Sequence, residues 1–310
     1  KCVAAKQHRH FSFFDIELSP GTRISKLQRY SEELALAMRA HSSLIVKPFP
    51  SRGVVRLQTT NSDPHRINLS ELFLRHKPTG FLPFLLGETD EGEPLVMDLA
   101  QNPHLLIGGG TGSGKSVLLH TMVANAARMN DVRLFLVDPK QVEFASYAKR
   151  LPGVVERVHT DPKSLLVTFN YLMSIMEMRY ERMSQLGIQK VEDRPDLFDK
   201  IVLIVDEASD LMLSDFGKQF ESFITKLAQK ARAAGIYMIL ATQRPSANVF
   251  TGLIKANFPA RLACKVSSVV DSKVILDKKG AEKLVGRGDA ILSNSAYDMT
   301  RFQVAFPDTF

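Results

Sequence analysis

The sequence predicts an α/β domain built on a parallel sheet, preceded by a small α+β domain. Beyond residue 84, short apolar runs alternate with helix-length segments, which is the pattern of parallel strands covered on both faces. Before residue 75, strand-like runs and one amphipathic stretch follow each other at shorter spacing. The four apolar runs that predict the parallel sheet are Leu105–Ile107, Leu134–Val137, Ile201–Val205 and Tyr237–Ala241.

Residues 1–75 are predicted to form the small α+β domain. Residues 11–18 alternate like a strand, and residues 24–38 carry apolar side chains at helical spacing. Strand-like runs around 44–46 and 54–57 follow, and a short helix is expected after Asn68. The charged segment 76–84 contains Pro and Gly and is expected to be a linker, so residues 85–310 form the α/β domain.

Composition narrows the class of protein. The 310 residues are 45% hydrophobic and 24% charged, which excludes disordered and collagen-like chains. A net charge of +7 favours a polyanionic partner such as nucleic acid. Cys2 and Cys264 lie far apart without zinc-ligand spacing, so neither a disulfide framework nor a zinc site is expected.

Location is predicted from the absence of any long uncharged apolar stretch. This segment is therefore expected to be cytoplasmic and to make no membrane contact. Because the sequence starts at Lys1 without an initiator Met, it is expected to be a fragment of a longer protein. A tether to the inner membrane through another part of that protein stays open.

A glycine-rich loop directly follows the strand Leu105–Ile107 and opens an apolar helix, which is the setting of a P-loop. In such loops the backbone N–H groups and the helix N-terminus bind phosphate. Lys115 is expected to contact the β- and γ-phosphates, and Ser116 to ligate Mg²⁺. The residues predicted to bind the cofactors ATP and Mg²⁺ are Gly109, Gly110, Thr111, Gly112, Ser113, Gly114, Lys115, Ser116, Val117 and Asp206.

Two carboxylates follow the strand Ile201–Val205. Asp206 is expected to hold Mg²⁺ through water, and Glu207 to orient and polarise the attacking water. Asp210 is predicted instead to be a solvated charge at a helix start. The next strand delivers Gln243, which is either a sensor of the γ-phosphate or a capped strand end.

The order of the strands indicates which division of the P-loop proteins the sequence matches. Another strand, Arg133–Val137, intervenes in sequence between the loop and the acidic pair, which matches RecA-like motors better than switch GTPases. No guanine-reading Asn-Lys-x-Asp motif occurs. The sequence therefore predicts a RecA-like P-loop ATPase domain that uses ATP.

Eight stretches then carry a resemblance to a known family. They are PHLLIGGGTGSGKSV (103–117), VDPKQVEF (137–144), EMRYERMSQLG (177–187), IVDEASDLM (204–212), LAQKARAAGI (227–236), LATQRP (240–245), TGLIKANFPARLA (251–263) and GAEKLVGRGDAIL (280–292). On these stretches the chain resembles the FtsK/SpoIIIE family of double-stranded DNA translocases. The resemblance implies a homo-hexameric ring with double-stranded DNA in its channel, acting in chromosome segregation or mobile-element DNA transfer.

The resemblance also implies roles for individual residues. Arg232 falls on the family's trans-acting arginine, whereas spacing alone favours a solvated basic face. Arg244, Lys255 and Lys273 fall on or near channel-facing loops, where contacts to phosphates would bind DNA regardless of sequence. Val269 departs from the basic residue usual in its loop, and the sequence reaches Phe310 without a winged-helix module, so sequence-read directionality is not expected.

Two alternatives to the double-strand motor stay open from sequence. One is a coupling-type conjugative ATPase that moves single-stranded DNA. The other is a nucleotide-gated DNA clamp that binds ATP without hydrolysing it. Glu207 argues against the clamp, because a clamp needs no carboxylate that activates water.

Overall fold

The structure is a computed structural model that describes residues 1–8, 11–40, 44–61 and 65–307. Its contacts divide the chain into two compact units. The first unit contains Lys1–Ile67 and Glu88–Glu93, and the second contains Asn68–Gly87 and Pro94–Phe310.

The first unit is built on a four-stranded antiparallel sheet in the order β1-β2-β4-β3. Its strands are β1 (Cys2–Gln7), β2 (Phe11–Ile16), β3 (Ile45–Phe49) and β4 (Val54–Thr60). The sequence did not predict β1. The helix expected over residues 24–38 is two helices, α1 (Ile24–Arg29) and α2 (Ser31–Ala37), because Tyr30 leaves helical geometry at ψ 19°.

The buried side chain of Arg56 contacts several side chains of the first unit. The Arg56 guanidinium donates two hydrogen bonds to Asp15, at 2.7 and 3.0 Å, and one to Glu91 at 2.6 Å. It also lies over the rings of Phe13 and Phe49, with centroid distances of 3.9 and 4.5 Å. The hydrogen bond from Arg56 holds the pKa of Asp15 below its usual range despite burial.

Local hydrogen bonds explain why the helix after Ile67 belongs to the second unit. Helix α3 (Leu69–Arg75) begins at its N-cap Asn68, whose side chain accepts from the Glu71 N–H at 3.1 Å. Leu69 donates its backbone N–H to Phe306 at 2.9 Å, so α3 counts with the second unit. The expected linker 76–84 already contains the start of the strand Pro83–Thr89, and the contacts assign Lys1–Ile67 together with Glu88–Glu93 to the first unit.

The second unit holds a ten-stranded sheet in the order β6-β5-β14-β13-β12-β7-β11-β10-β8-β9. Six neighbouring strands, from β12 to β9 in this order, run parallel, which confirms the predicted α/β fold with a parallel sheet. The strands are β5 (Pro83–Thr89), β6 (Pro94–Asp98), β7 (Leu105–Gly108), β8 (Val132–Val137), β9 (Val155–His159), β10 (Lys200–Val205), β11 (Ile236–Thr242), β12 (Ala260–Cys264), β13 (Asp289–Ser293) and β14 (Thr300–Val304).

Helices cover both faces of this sheet, and strand residues alternate between two cores. Leu203 faces the core that includes residues of α6 and α8, whereas Val202 and Ile204 face the core that includes residues of α4. The helices are α4 (Lys115–Ala126), α5 (Tyr147–Arg150), α6 (Pro162–Leu186), α7 (Ala208–Met212), α8 (Gly217–Lys230), α9 (Gly252–Asn257) and α10 (Val269–Leu276).

Among the helices within the described ranges, none combines the length and the apolar character that crossing a membrane requires.

His104 is a fully buried histidine immediately before β7. The Met238 N–H donates to its Nδ1 at 3.1 Å, so Nε2 carries the hydrogen and donates to the carbonyl of Ala228 at 3.2 Å. Burial lowers the pKa of His104 to about 4, and the bond to Ala228 offsets this only in part. The neutral ring therefore ties the end of α8 to β11.

We expect the free energy of unfolding to fall between neutral and mildly acidic pH. His104 titrates near 6.5 when unfolded and at about 4 when folded, so the unfolded chain takes up the proton first. This difference removes about 3 kcal/mol of stability as pH falls through that window. Urea unfolding at about pH 7 and about pH 5 should capture about 2 kcal/mol of this change, because pH 5 lies above the folded pKa.

His104→Asn should reduce this pH dependence, because Asn tolerates the left-handed backbone at position 104, where φ is 66°. Some slope should remain, since burial also lowers the pKa of His159 to about 4. Exposed His65→Asn is the matched control and should leave the slope unchanged. An unaltered slope in His104→Asn would contradict the assignment.

Candidate nucleotide site

The predicted P-loop joins the carboxyl end of β7 to the N-terminus of α4. A Cβ atom at Gly114 would lie 2.2 Å from the Gly288 nitrogen, and φ at this position is +101°, so only glycine fits. At Gly112 a Cβ would meet nothing within 4 Å, and φ is +73°. The loop is therefore an open backbone cradle at a helix N-terminus, which is a fit for phosphate groups.

Backbone hydrogen bonds attach the P-loop to the segments around Thr242, Lys265 and Gly288. Gly109 N donates to Thr242 O at 3.2 Å, and Gly110 N donates to Lys265 O at 2.8 Å. On the other side, Gly288 N donates to Ser113 O at 2.9 Å. The Ser113 side chain is buried, and a Cβ at Gly109 would lie 2.7 Å from its hydroxyl oxygen.

Lys115 and Asp206 form a buried ion pair beneath the loop. The Lys115 Nζ donates to Asp206 Oδ1 at 2.5 Å and to the Asp206 carbonyl at 2.7 Å. Burial raises the pKa of Asp206, and the charge and hydrogen bond of Lys115 oppose that shift. The predicted P-loop lysine and the predicted metal carboxylate are thus in direct contact, although β11 lies between β7 and β10.

Glu207 is buried and accepts several hydrogen bonds. The Thr242 hydroxyl donates to its Oε1 at 2.5 Å, the Ser209 hydroxyl donates at 2.8 Å, and the Gln243 N–H lies 3.1 Å from both carboxylate oxygens. Burial by itself would raise the pKa of Glu207, but these donors hold it below its usual range. The carboxylate is therefore kept ionised and rigidly oriented.

Two further side chains lie beside Glu207. Lys140, which follows β8, places its Nζ 3.6 Å from Glu207 Oε2 and 3.7 Å from Asp210 Oδ2. Asp210 lies in the first turn of α7, and its side chain is 39% exposed. Gln243 is half-buried, and its side-chain oxygen accepts from the Thr111 hydroxyl at 3.3 Å, so it connects the P-loop to the Glu207 region.

Ser116 shows a contact that the sequence reasoning missed. Its hydroxyl donates to Glu143 Oε1 at 2.6 Å. Glu143 follows β8 within the stretch VDPKQVEF, one of the stretches that carry the family resemblance. The spacing along the sequence gave no sign of this contact, because 27 positions separate the two residues.

The side chains present are suited to Mg²⁺ held jointly with a nucleotide. Across the described residues, no group of three or more His, Cys, Asp and Glu side chains could bind a metal. Mg²⁺ typically uses one or two carboxylates together with substrate phosphates and water, all through oxygen. Ser116 and Asp206 offer such oxygens next to the phosphate cradle.

Arg232 is not brought together with the other candidate residues. It is exposed and lies in the turn between α8 and β11, before the amino end of that strand. Gln243 follows the carboxyl end of β11, so this 7-residue strand separates the two residues by about 20 Å. Within one chain, Arg232 lies on the opposite edge of the sheet from Glu207.

The three residues predicted to contact DNA lie on three different segments. Arg244 follows the carboxyl end of β11, and Lys273 lies on α10, which follows β12, whereas Lys255 lies on α9, which precedes the amino end of β12. Arg244 and Lys273 are exposed, whereas Lys255 is half-buried and forms an ion pair with Asp277. The loop of Arg244 and helix α10 both border the end of β7, since a Cβ at Gly108 would meet Ile275 and Pro245.

The sequence profile of the FtsK/SpoIIIE family matches residues 71–200 and 195–247 of the chain. The chain belongs to the FtsK/SpoIIIE family. The DNA translocase FtsK of Treponema pallidum (strain Nichols) is 38% identical to it over 313 residues, covering 95% of this chain and 39% of the relative. The DNA translocase FtsK of Haemophilus influenzae is 37% identical over 333 residues, covering 94% of this chain and 62% of the relative.

Solved structures share the fold of this FtsK/SpoIIIE chain. The pCW3 conjugation coupling protein TcpA, in its monomer form with ATPγS, matches with a TM-score of 0.73 at 23% identity, covering 99% of this chain and 89% of that chain. The cytoplasmic domain of the Thermomonospora curvata type VII secretion ATPase EccC matches with a TM-score of 0.64 at 22% identity, covering 78% and 32%.

Gly114→Ala should weaken nucleotide binding at least about 10-fold, because the added methyl group pushes the loop away from Gly288. Gly153→Ala is the matched control: its φ of +84° is similarly left-handed, but a Cβ there meets nothing within 4 Å. That control should lose about 1 kcal/mol of stability and keep its affinity. The affinity of each variant for a fluorescent ADP analogue is measured per mole of folded protein. Equal affinities for the two variants would contradict the predicted collision.

Proposed function

We propose that this chain is an ATP-driven motor segment that moves double-stranded DNA through a homo-hexameric ring. The observation that carries the proposal is the convergence of Lys115, Asp206 and Glu207 at one sheet edge, beside an open phosphate cradle. Membership of the FtsK/SpoIIIE family supports it, as do relatives named DNA translocase FtsK. The chain spans 39% of the Treponema relative, so the proposal concerns a motor segment.

Each residue of the site has a distinct proposed role. The loop amides and Lys115 bind the phosphates of ATP, and Ser116 and Asp206 would hold Mg²⁺, which neutralises phosphate charge when bound. Glu207 orients and polarises the attacking water molecule, for which an ionised and rigidly held carboxylate is suited. Gln243 connects Glu207 to Thr111 of the loop, as a sensor of the bound nucleotide would.

Arg232 is proposed to act on ATP held by a neighbouring subunit. Its exposure and its place on the opposite sheet edge support this role, because it cannot reach the site of its own chain. An arginine supplied in trans stabilises the charge that develops during phosphoryl transfer.

DNA is proposed to contact Arg244, Lys255 and Lys273. Arg244 and Lys273 lie on segments that follow the carboxyl ends of β11 and β12, and the chain carries a net charge of +7. Contacts of these cations with phosphates would bind duplex without reading its sequence. The ion pair with Asp277 makes Lys255 the least available of the three.

Steady-state ATP hydrolysis with no DNA, single-stranded DNA and linear duplex tests the proposal. We expect stimulation that is specific for duplex and that weakens as salt rises, because binding to phosphates releases counterions. Glu207→Gln should keep nucleotide binding and lose about 10²–10⁴-fold in turnover. Exposed Glu181→Gln on α6 is the control and should hydrolyse ATP normally.

The other outcomes point elsewhere. Stimulation by single strands alone would favour the coupling-type ATPase over the duplex motor. Nucleotide binding without turnover, unchanged by Glu207→Gln, would favour the clamp. Hydrolysis indifferent to DNA in verified ring assemblies would overturn DNA translocation for this segment.

Mixing inactive variants tests the role of Arg232. Arg232→Ala and Lys115→Ala should each be inactive alone, and their mixture should regain hydrolysis. In a random equal mixture, about a quarter of the interfaces join an intact Lys115 to an intact Arg232 of the neighbour. Exposed Arg182→Ala should be active alone. Mixed assemblies of verified composition that recover no activity would contradict a role in trans.

A further inference from the structure

Glu143 lies at the centre of a hydrogen-bonded chain of four side chains. One carboxylate oxygen accepts from the Ser116 hydroxyl at 2.6 Å, and the other lies 3.1 Å from His120 Nε2. His120 Nδ1 lies 2.7 Å from the Tyr147 hydroxyl. Ser116 and His120 are four residues apart on α4, so both face Glu143 from the same side of the helix.

With Glu143 ionised and His120 neutral, the direction of every hydrogen bond in this chain is fixed. An ionised carboxylate only accepts, so Ser116 and His120 Nε2 must both donate to Glu143. In the neutral ring, Nδ1 is then an acceptor, and it takes the hydrogen of the Tyr147 hydroxyl. Tyr147 therefore supports His120, His120 supports Glu143, and Glu143 holds the Ser116 hydroxyl.

The backbone around Glu143 is fixed as well. The N–H groups of Glu143 and Phe144 both donate to Asp138 Oδ2, at 2.9 and 2.8 Å. The Phe144 side chain is fully buried, and its ring meets that of His120 edge-on with centroids 6.2 Å apart. The loop after β8 thus presents the Glu143 carboxylate to the start of α4 in one orientation.

A serine hydroxyl has one hydrogen and two lone pairs. When the hydrogen points to Glu143, both lone pairs point away from Glu143 and one can face a cation. Mg²⁺ demands near-ideal octahedral geometry, so a freely rotating hydroxyl is a poorer ligand than an oriented one. Groups that orient metal ligands in this way usually have large effects on metal affinity.

We propose that Glu143 is a positioning residue for Mg²⁺ at the nucleotide site: it orients the Ser116 hydroxyl and is itself oriented by His120 and Tyr147. This inference rests on the proposed function, since it takes Ser116 as a ligand of Mg²⁺.

The test is a Mg²⁺ titration of the binding of a fluorescent, non-hydrolysable ATP analogue by the full chain, because Mg²⁺ is held by β- and γ-phosphate oxygens together. In Glu143→Ala and Glu143→Gln, the half-saturating Mg²⁺ concentration should rise about 10-fold or more. Gln is informative because its amide cannot accept from both Ser116 and His120. Nucleotide affinity in EDTA should stay within about 2-fold of the wild type, since Glu143 acts through the cation.

Two further variants show whether the rise in the Mg²⁺ requirement depends on this hydrogen-bonded chain. Tyr147→Phe removes only the last donor of the chain and should give a smaller rise in the Mg²⁺ requirement. Glu181→Gln, which changes an exposed carboxylate on α6, should give none. Circular dichroism of each variant ensures that only folded protein is compared.

The outcomes separate this inference from the proposed function. If Ser116→Ala raises the Mg²⁺ requirement but the Glu143 variants do not, the role of Glu143 is overturned and the function stands. If folded Glu143 variants lose nucleotide affinity equally with and without Mg²⁺, Glu143 is structural and the inference also fails. If the wild type binds the analogue equally with and without Mg²⁺, Glu143 does not act on a bound cation and the inference fails, whereas the proposed function fails only if verified assemblies show no DNA-dependent hydrolysis of ATP.

Discussion

The buried contact between Lys115 and Asp206 is the interaction on which the site depends. Both side chains are almost fully buried, so either charge alone would carry a large desolvation penalty. Their mutual hydrogen bond, and the second bond from Lys115 to the Asp206 carbonyl, compensate that penalty. The pair joins the loop after β7 to the end of β10 across the end of β11. The phosphate cradle and the carboxylates therefore keep a fixed relative position.

β11, the strand between β7 and β10, contacts both the phosphate cradle and Glu207. β11 ends at Thr242, whose hydroxyl donates to Glu207, and the next N–H, from Gln243, donates to the same carboxylate. The Thr242 carbonyl in turn accepts from Gly109 of the loop. Because β7, β11 and β10 are parallel neighbours, their carboxyl ends lie at one edge. One strand end thus contacts both the cradle and the carboxylate that is proposed to act on water.

The parts predicted from sequence are those with a local signal. Uniform apolar runs gave the central strands, and the P-loop pattern gave the cradle, because both depend on residues adjacent in the chain. The sequence did not predict the break at Tyr30, because apolar side chains keep their helical spacing across it. It did not predict β1 either, because β1 is an edge strand. Glu143 and Lys140 were missed as site residues because their partners, Ser116 and Glu207, are distant in sequence. Only the tertiary fold brings them together.

The position of Arg232 connects the site to the proposed assembly. A chain with its phosphate cradle at one edge of the sheet and its arginine at the other presents two different surfaces. If the arginine serves a neighbour's ATP, those surfaces must meet head to tail, so the interface is heterologous. Such an interface leaves each chain with one unmatched surface unless the rotation closes into a ring or continues as a filament. A closed ring matches every cradle with an arginine and gives all subunits equivalent sites around one central axis. If Arg232 acts in trans, its separation from Gln243 along β11 therefore favours a ring over a monomer that hydrolyses ATP alone.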